Sequence, residues 1–294
     1  YNQNGEIVSS VQLEMNNRSF LYGDGLFERL RLFNGQVFNK QNHYNRLSFS
    51  LKELQLDISV SIDELFEQVE YLAHQNGLTS CSARISIYRN SGGLYTPETL
   101  LASYVIETMG EASDCFSLGD GLQIGVYDKH LKSKGLLSTI KSSSANLYVL
   151  ASLEKKRKNL DELLLLNSDK RPIEGTNSNL FIFKEGKIFT PPLFEGPLLG
   201  CMRSLVLDHF AVEEVALNLK DVQTDISEKR LKRFVGTEQV LLIEKPSKKN
   251  NQVLTGKIDS GQITHIDNKN VSTGDVVEVK IIDSTPFYLK AELI

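Results

Sequence analysis

The chain has 294 residues, 40% of them hydrophobic and 24% charged, with a formal net charge of −4. This is ordinary globular composition, long enough for about two domains of usual size, and it excludes a wholly disordered or fibrous chain. The acidic balance argues against nucleic-acid binding by the chain as a whole, and no apolar run reaches the ~20 residues of a membrane-spanning helix.

Three scattered cysteines, Cys81, Cys115 and Cys201, contain no Cys-x-x-Cys pair, so neither a disulfide framework nor a zinc site is expected. No basic start followed by an apolar core is visible, and a reducing cytoplasm is the expected compartment. Charge is uneven along the chain. Residues 224–294 hold 11 Lys/Arg and 10 Asp/Glu, net +1, which leaves −5 for residues 1–223.

Residues 5–38 read as strands and turns. Glu6 to Leu13 partly alternates, and Leu30 to Phe33 runs into Asn34-Gly35, a hairpin signal. Tyr22-Gly23-Asp24-Gly25 between them is a weak turn signal. Gln41 to Leu54 has helical spacing. A second helix is predicted over Ile62–Asn76: Ser61 and Glu64 form a capping box, Leu65, Phe66, Val69 and Leu72 share one face, and Gly77 stops it. Strands follow at Ala83–Tyr88 and Leu101–Thr108. Gly110–Gly121 is small and polar and reads as a linker.

Beyond it, a strand near Leu122–Tyr127 precedes a strand-like run, Leu136–Ile140, and a helix from about Ala145 to Lys158. Leu163–Leu166, Pro172–Glu174, Leu180–Phe183 and Ile188–Thr190 suggest a meander. Gly200 opens a helix reaching about Val212. Ser227–Arg233 is short and basic. Five short strands then follow, Val240–Ile243, Leu254–Ile258, Gln262–Ile266, Val276–Ile282 and Tyr288–Leu293, the rhythm of a small β-barrel. The fold class is α+β.

Several residues could carry chemistry. Lys141, between Ile140 and Ser142-Ser143-Ser144, could be a Schiff-base lysine if desolvation frees its amine; from position alone a solvated loop lysine fits better. Glu174 could hold a pyridinium nitrogen, or simply end a turn. Arg46, in His43-x-x-Arg46-Leu47, could grip a phosphate with its fork, or snorkel from the helix surface. Gly200-Cys201-Met202 opens a helix whose free N–H groups suit an anion, although a plain glycine turn looks the same. Arg84 and Arg89 flank Ile85–Tyr88 and, being an odd number apart, point to opposite faces; either could clamp a carboxylate and the other serve structure. The histidines show no metal spacing.

Taken in order, YGDGLFERLRLFNGQVF, HYNRLSFS, ARISIYRNSGG, the IKS around Lys141, LDELLLLNSDKRPIEGTNSNLFIF and TPPLFEGPLLGCMR resemble the class IV, fold-type IV pyridoxal-phosphate enzymes. That family contains branched-chain aminotransferases, D-amino-acid aminotransferases and aminodeoxychorismate lyase, and the likeness covers residues of about 5–222. It implies Lys141 as the Schiff-base lysine and proton shuttle, Glu174 as partner of the pyridine nitrogen, and Arg46 on the phosphate of pyridoxal 5'-phosphate. It also implies phosphate contacts from the backbone around Cys201 and Met202, and Arg84 and Arg89 at the substrate carboxylate. The implied assembly is a homodimer. The implied reaction is transfer of an amino group between an amino acid and a 2-oxo acid; lyase chemistry yielding 4-aminobenzoate and pyruvate is the alternative.

Two departures stand out. Ser144 occupies the position where relatives carry Asn, and the strand and Thr/Asn-containing loop that complete the phosphate cup after the last helix have no counterpart. In their place, residues 225–294 resemble a TRAM domain, the RNA-binding β-barrel of tRNA methylthiotransferases, through VLLIEKPSKK, LTGKI and GDVVEVKI. The radical-SAM cysteine motif of those enzymes is absent. Lys245, Lys248, Lys249 and Lys257 could meet RNA phosphates, or stand in a solvated loop. The expected organisation is a small α/β domain over 1–112, a shortened cofactor-binding domain over 120–223, and the barrel over 225–294. A second alternative for the whole is a catalytically impaired scaffold with an RNA-binding tail.

Overall fold

Strands β1 (Asn2–Gln3) and β2 (Glu6–Ile7) are short because Asn4 and Gly5 turn the chain back with positive φ. The strand expected to reach Leu13 therefore ends at Ile7. Helix α1 (Arg18–Tyr22) is capped by Asn17, whose side chain accepts from the Phe20 N–H, and ends at Gly23 in the left-handed region. Then β3 (Gly25–Phe33) turns through Asn34 (φ 49°) and Gly35 (φ 75°) into β4 (Gln36–Val37), the hairpin those two residues predict. Helix α2 (Lys40–Leu54), β5 (Asp57–Ile58), α3 (Ile62–Gln75), β6 (Cys81–Arg89) and β7 (Leu101–Glu111) complete a seven-stranded sheet. Its order is β2-β1-β7-β6-β3-β4, with β5 beside β7. The capping box of Ser61 and Glu64 is present. The predicted face of α3, Leu65, Phe66, Val69 and Leu72, is buried with Leu26, Leu30 and Leu32 of β3 and Ile85 and Ile87 of β6.

The computed structural model describes every residue except 112–120, 221, 223–230, 248–252, 268–270 and 286–287. Most of the Gly110–Gly121 linker, and Ser227–Arg230, therefore lie outside the described residues. The rest forms two units, Tyr1–Ala216 and Leu217–Ile294.

The first unit continues with β8 (Ile124–Lys132), α4 (Leu136–Thr139), α5 (Asn146–Arg157), β9 (Glu162–Asn167) and β10 (Pro172–Glu174). The strand expected at Leu136–Ile140 is instead the turn of helix α4. The Ser138 hydroxyl donates to the Gly135 carbonyl (2.6 Å) and that of Thr139 to Leu136 (2.7 Å), which closes a turn and competes with extension. Nor is there one meander. Strand β9 pairs antiparallel with β10 and parallel with β8, whereas β11 (Ile182–Lys184), β12 (Lys187–Thr190) and β13 (Val212–Glu214) make a separate sheet. Helix α6 (Cys201–His209) stops short of Val212 because residues 212–214 pair with β12.

In the second unit β14 (Glu238–Pro246), β15 (Val253–Ile258), β16 (Ile263–Asp267), β17 (Val276–Ser284) and β18 (Leu289–Leu293) close a barrel in the order β14-β15-β16-β18-β17. Its five strands are those the sequence predicts. Leu241, Ile243, Leu254, Ile258, Ile266, Val279, Ile281 and Leu289 fill the interior. Gly256 is required by close approach: a Cβ there would lie 2.0 Å from the Leu242 carbonyl oxygen. Gly256→Ala is therefore expected to destabilise the barrel by about 1–3 kcal/mol, the cost of forcing atoms into a packed site. Thermal unfolding of the full chain should show the barrel's transition lowered and that of the first unit unmoved.

Candidate active site

Lys141 is held by strand β3. The Phe27 N–H donates to the Lys141 carbonyl (3.0 Å), the Ser143 N–H to Gly25 (2.9 Å), and Leu26 bridges to Ser142. Gly25 is required by close approach, since a Cβ there would sit 2.5 Å from the Ile87 carbonyl oxygen of β6 and 3.2 Å from Ser143 Oγ. The lysine amine stands 4.7 Å from the centre of the Phe27 ring. Burial pulls its pKa below the ordinary lysine value, and the positive charge of Arg46 adds to the effect, while Glu28, Glu174 and Cys201 oppose it.

Arg46 is not a surface residue; it is 5% exposed. Its Nε donates to Glu28 Oε2 (3.1 Å), a terminal nitrogen forks onto Glu28 Oε1, and the other donates to the Leu199 carbonyl (3.0 Å). His43, one helical turn earlier on α2, meets the same carboxylate through Nδ1 (2.5 Å). Burial alone would raise the Glu28 pKa, but Arg46 and His43 outweigh it and hold the carboxyl below its usual range. The three bonds leave two of Arg46's five N–H groups for another acceptor. The Sγ atom of Cys201 packs 3.7 Å from Glu28 Oε1 and 3.5 Å from the Asn42 carbonyl, and burial pushes the thiol up to about 12. Glu28, His43 and Cys201 bring ligand-type atoms within 4.8 Å of one another, yet the Arg46 cation already serves that carboxylate.

Met202, unlike Cys201, is 46% exposed. Both open the nine-residue helix α6, whose N-cap Gly200 makes no side-chain cap. The first backbone N–H groups of α6 are thus free of a capping side chain, the arrangement that receives an anion.

Glu174 is 2% exposed and accepts from three donors. Lys132 Nζ (2.5 Å) and the Tyr148 hydroxyl (2.8 Å) reach Oε1, and the Leu198 N–H (2.8 Å) reaches Oε2. Burial depresses the Lys132 pKa more than Glu174 restores it, and burial followed by the Glu174 charge raises that of Tyr148.

The two arginines of β6 separate as their spacing requires. Arg84 faces the Lys141 side: its guanidinium lies 4.1 Å from the centre of the same Phe27 ring, and its Nε donates to Ser86 Oγ (3.1 Å). Arg89 is buried, and every guanidinium nitrogen is engaged, with Asp24 Oδ2 (2.9 Å) and the carbonyls of Gln55 and Leu54 (2.7 Å each).

Sequence reasoning missed Phe27, Glu28, Lys132 and Tyr148. Only Glu28 left a signal: it shares the face of Leu26, Leu30 and Leu32 along β3, and a carboxylate on a core face demands a cationic partner.

Residues 25–228 match the family described as amino-transferase class IV, and residues 232–294 match the TRAM domain. The D-alanine aminotransferase of Staphylococcus aureus is 29% identical over 209 residues, covering 69% of this chain and 72% of that protein. Among solved structures, the branched-chain amino acid aminotransferase of Escherichia coli superposes with a TM-score of 0.69 at 25% identity, covering 75% of this chain and 78% of that one. The 4-amino-4-deoxychorismate lyase of Pseudomonas aeruginosa, at 22% identity and a TM-score of 0.62 over 73% of this chain and 81% of that one, shares the fold.

Lys141 should imprint itself on stability. Unfolded, it holds its proton up to about 10.5, the ordinary lysine value; folded, it releases it at lower pH. Between those two values the unfolded chain binds more protons, so stability rises with pH across that window. Lys141→Met should remove this rise and stabilise the ligand-free protein at neutral pH, as denaturant midpoints measured from pH 7 to pH 10 would reveal. Arg46→Met should act oppositely, costing about 3–5 kcal/mol, because it strands the buried Glu28 charge.

Proposed function

The chain belongs to the amino-transferase class IV family of pyridoxal-phosphate enzymes, and on that premise we propose that it transfers an amino group between an amino acid and a 2-oxo acid. One observation carries the reading: a half-buried lysine amine of lowered pKa, pinned over Phe27 and sharing its electrostatic surroundings with Arg46 and Glu174.

The residues suit the cofactor. Lys141 Nζ would hold it covalently, Glu174 would face its ring nitrogen, and Arg46 with the first N–H groups of α6 would hold its phosphate. Bound there, pyridoxal phosphate supplies an electron sink for the charge left when a substrate Cα–H bond breaks. The rest falls to the protein. Lys141 Nζ, once neutral, takes the proton from the substrate Cα, and its lowered pKa makes the neutral form available nearer to physiological pH. Lys132, Tyr148 and the Leu198 N–H fix the Glu174 carboxylate so that its negative charge stays aimed. Arg84, lying on Phe27 beside Lys141, takes the substrate carboxylate, a fork geometry suited to that group. Arg89 instead braces Asp24 and the end of α2.

Two separate cores support the division of the first unit into a small domain over 1–112 and a cofactor-binding domain over 120–223. One core spans Leu26 to Ile106, the other Tyr127 to Ile173. A homodimer is supported by the apolar surface of this unit. Phe20 is 73% exposed and Phe194 72%, and a groove of about 580 Å³ is lined by Phe49, Leu136, Leu193, Phe194 and Leu199. The scattered cysteines support a reducing compartment such as the cytoplasm; among the described residues no helix is long and apolar enough to cross a membrane.

The barrel supports a second function, RNA binding. Five antiparallel and parallel strands close on themselves, as in other small oligonucleotide-binding barrels, and Lys245 and Lys257 lie on its outside. Lys248 and Lys249 lie outside the described residues.

The decisive experiment is the visible spectrum of the purified protein titrated with pyridoxal phosphate, beside Lys141→Ala. A long-wavelength band is expected in the parent and not in the variant. The same colourless result for both would remove the enzyme reading and leave a scaffold with an RNA-binding tail. Given a band, loss of colour with an amino acid and return with a 2-oxo acid supports transamination, whereas 4-aminobenzoate release from aminodeoxychorismate supports the lyase.

A further inference from the structure

We propose that the paired rings of His265 and Tyr288, on the outer wall of the barrel, form a stacking platform for an unpaired base of single-stranded RNA, with Lys245 and Lys290 placed for the adjoining phosphates. The proposal rests on the reading of the barrel as an RNA-binding module and names where and how the strand is held.

Alternation in β16 sets the first ring. Thr264 and Ile266 point inward and are 0% and 3% exposed, so His265 between them points out. Tyr288 immediately precedes β18. Its backbone is clamped by Thr285: the Thr285 N–H donates to the Tyr288 carbonyl (2.8 Å) and the Tyr288 N–H to Thr285 Oγ1 (3.0 Å). The two rings lie 4.1 Å apart and 11° from parallel. Each covers one face of the other, and both rings are only half-buried, so part of the pair stays open to solvent. Burial lowers the His265 pKa and so disfavours the charged ring. The barrel core is aliphatic and closed without these rings, so filling the interior is not their role.

Register adds the charges. Lys245 pairs with Thr255, Thr255 with His265, and His265 with Lys290, giving one row across β14, β15, β16 and β18. With strands about 4.8 Å apart the row spans roughly 14 Å, enough for a base and the phosphates on either side. Lys290 shares its charge with Asp283 (2.7 Å), and Asp267 lies two residues beyond His265. Few net positive charges line the row. Affinity should therefore come mainly from stacking, which a duplex with its bases paired and stacked would not provide.

The test uses the full chain and a labelled oligouridylate, read by fluorescence anisotropy at several salt concentrations, with melting curves for every variant. Tyr288→Leu and His265→Ala should each weaken binding by about tenfold or more, as loss of a stacked base does, while Tyr288→Phe binds as the parent does. The logarithmic salt slope should be about −1.4 for two phosphate contacts, falling to about −0.7 in Lys245→Gln. The unsubstituted protein should crosslink a 4-thiouridine oligomer at His265 or Tyr288, a readout that does not depend on any variant folding. Crosslinks confined to other residues, or unchanged affinity in folded Tyr288→Leu and His265→Ala, would overturn the platform and leave the barrel an RNA binder by another surface. No retention of RNA by the parent would overturn both. A slope several times steeper, with stacking variants silent, would mean a purely electrostatic contact.

Discussion

The first unit depends on a carboxylate placed where carboxylates are costly. Glu28 lies on the core face of β3, 1% exposed, and a charge so placed must find partners or fail to ionise. Its partners arrive one turn apart on α2, Arg46 by a two-pronged contact and His43 through Nδ1. The arginine then reaches Leu199, and Cys201 packs on the carboxylate from the start of α6. A single buried charge thereby ties a strand and a helix of the N-terminal sheet to the helix start that offers free N–H groups. Glu28 fixes the height and direction of Arg46 while leaving part of its fork unused.

Lys132, which is buried, and Lys141, which is half-buried, show how placement divides chemistry. Burial lowers the pKa of both. Lys132 has a carboxylate at 2.5 Å that favours its charged form, so it serves as a positioning cation for Glu174. Lys141 meets an aromatic face, and the nearby Arg46 opposes its protonation. A neutral amine is a nucleophile and a base; an ammonium held by a carboxylate is neither. The same residue type therefore stands in opposite surroundings at positions nine residues apart, with the helix turn α4, rather than the expected strand, between them.

Much of the fold was legible where local rules act alone. The capping box of Ser61 and Glu64, the Asn34-Gly35 hairpin and the alternation of the barrel strands are each decided within a few residues, and all three stand in the structure. Local rules failed where hydroxyls or distant pairing decide. Ser138 and Thr139 close a turn that hydropathy reads as a strand, and β13 is created by its register with β12, cutting α6 short. The site follows the same division. Family resemblance supplied Lys141, Glu174 and Arg46, and the parity of β6 foretold that Arg84 and Arg89 would diverge. Which arginine faces Lys141 depends on Phe27 and Asp24, far away in sequence. Lys132 and Tyr148 could not be read at all, because they matter only through a carboxylate that folding brings to them.

The barrel sharpens what the first unit must do by itself. Each of its five strands has a neighbour on both sides, so it lends no strand to another sheet and exposes no unpaired edge. In the first unit, α6 is followed by the three residues of β13, which pair in parallel with β12. Arg46, fixed by Glu28, and the uncapped N–H groups opening α6 are donors of the kind an anion needs. Glu174 is the converse arrangement, a buried carboxylate whose orientation is set by donors from three separate segments, and Lys132, Tyr148 and the Leu198 N–H leave it little freedom.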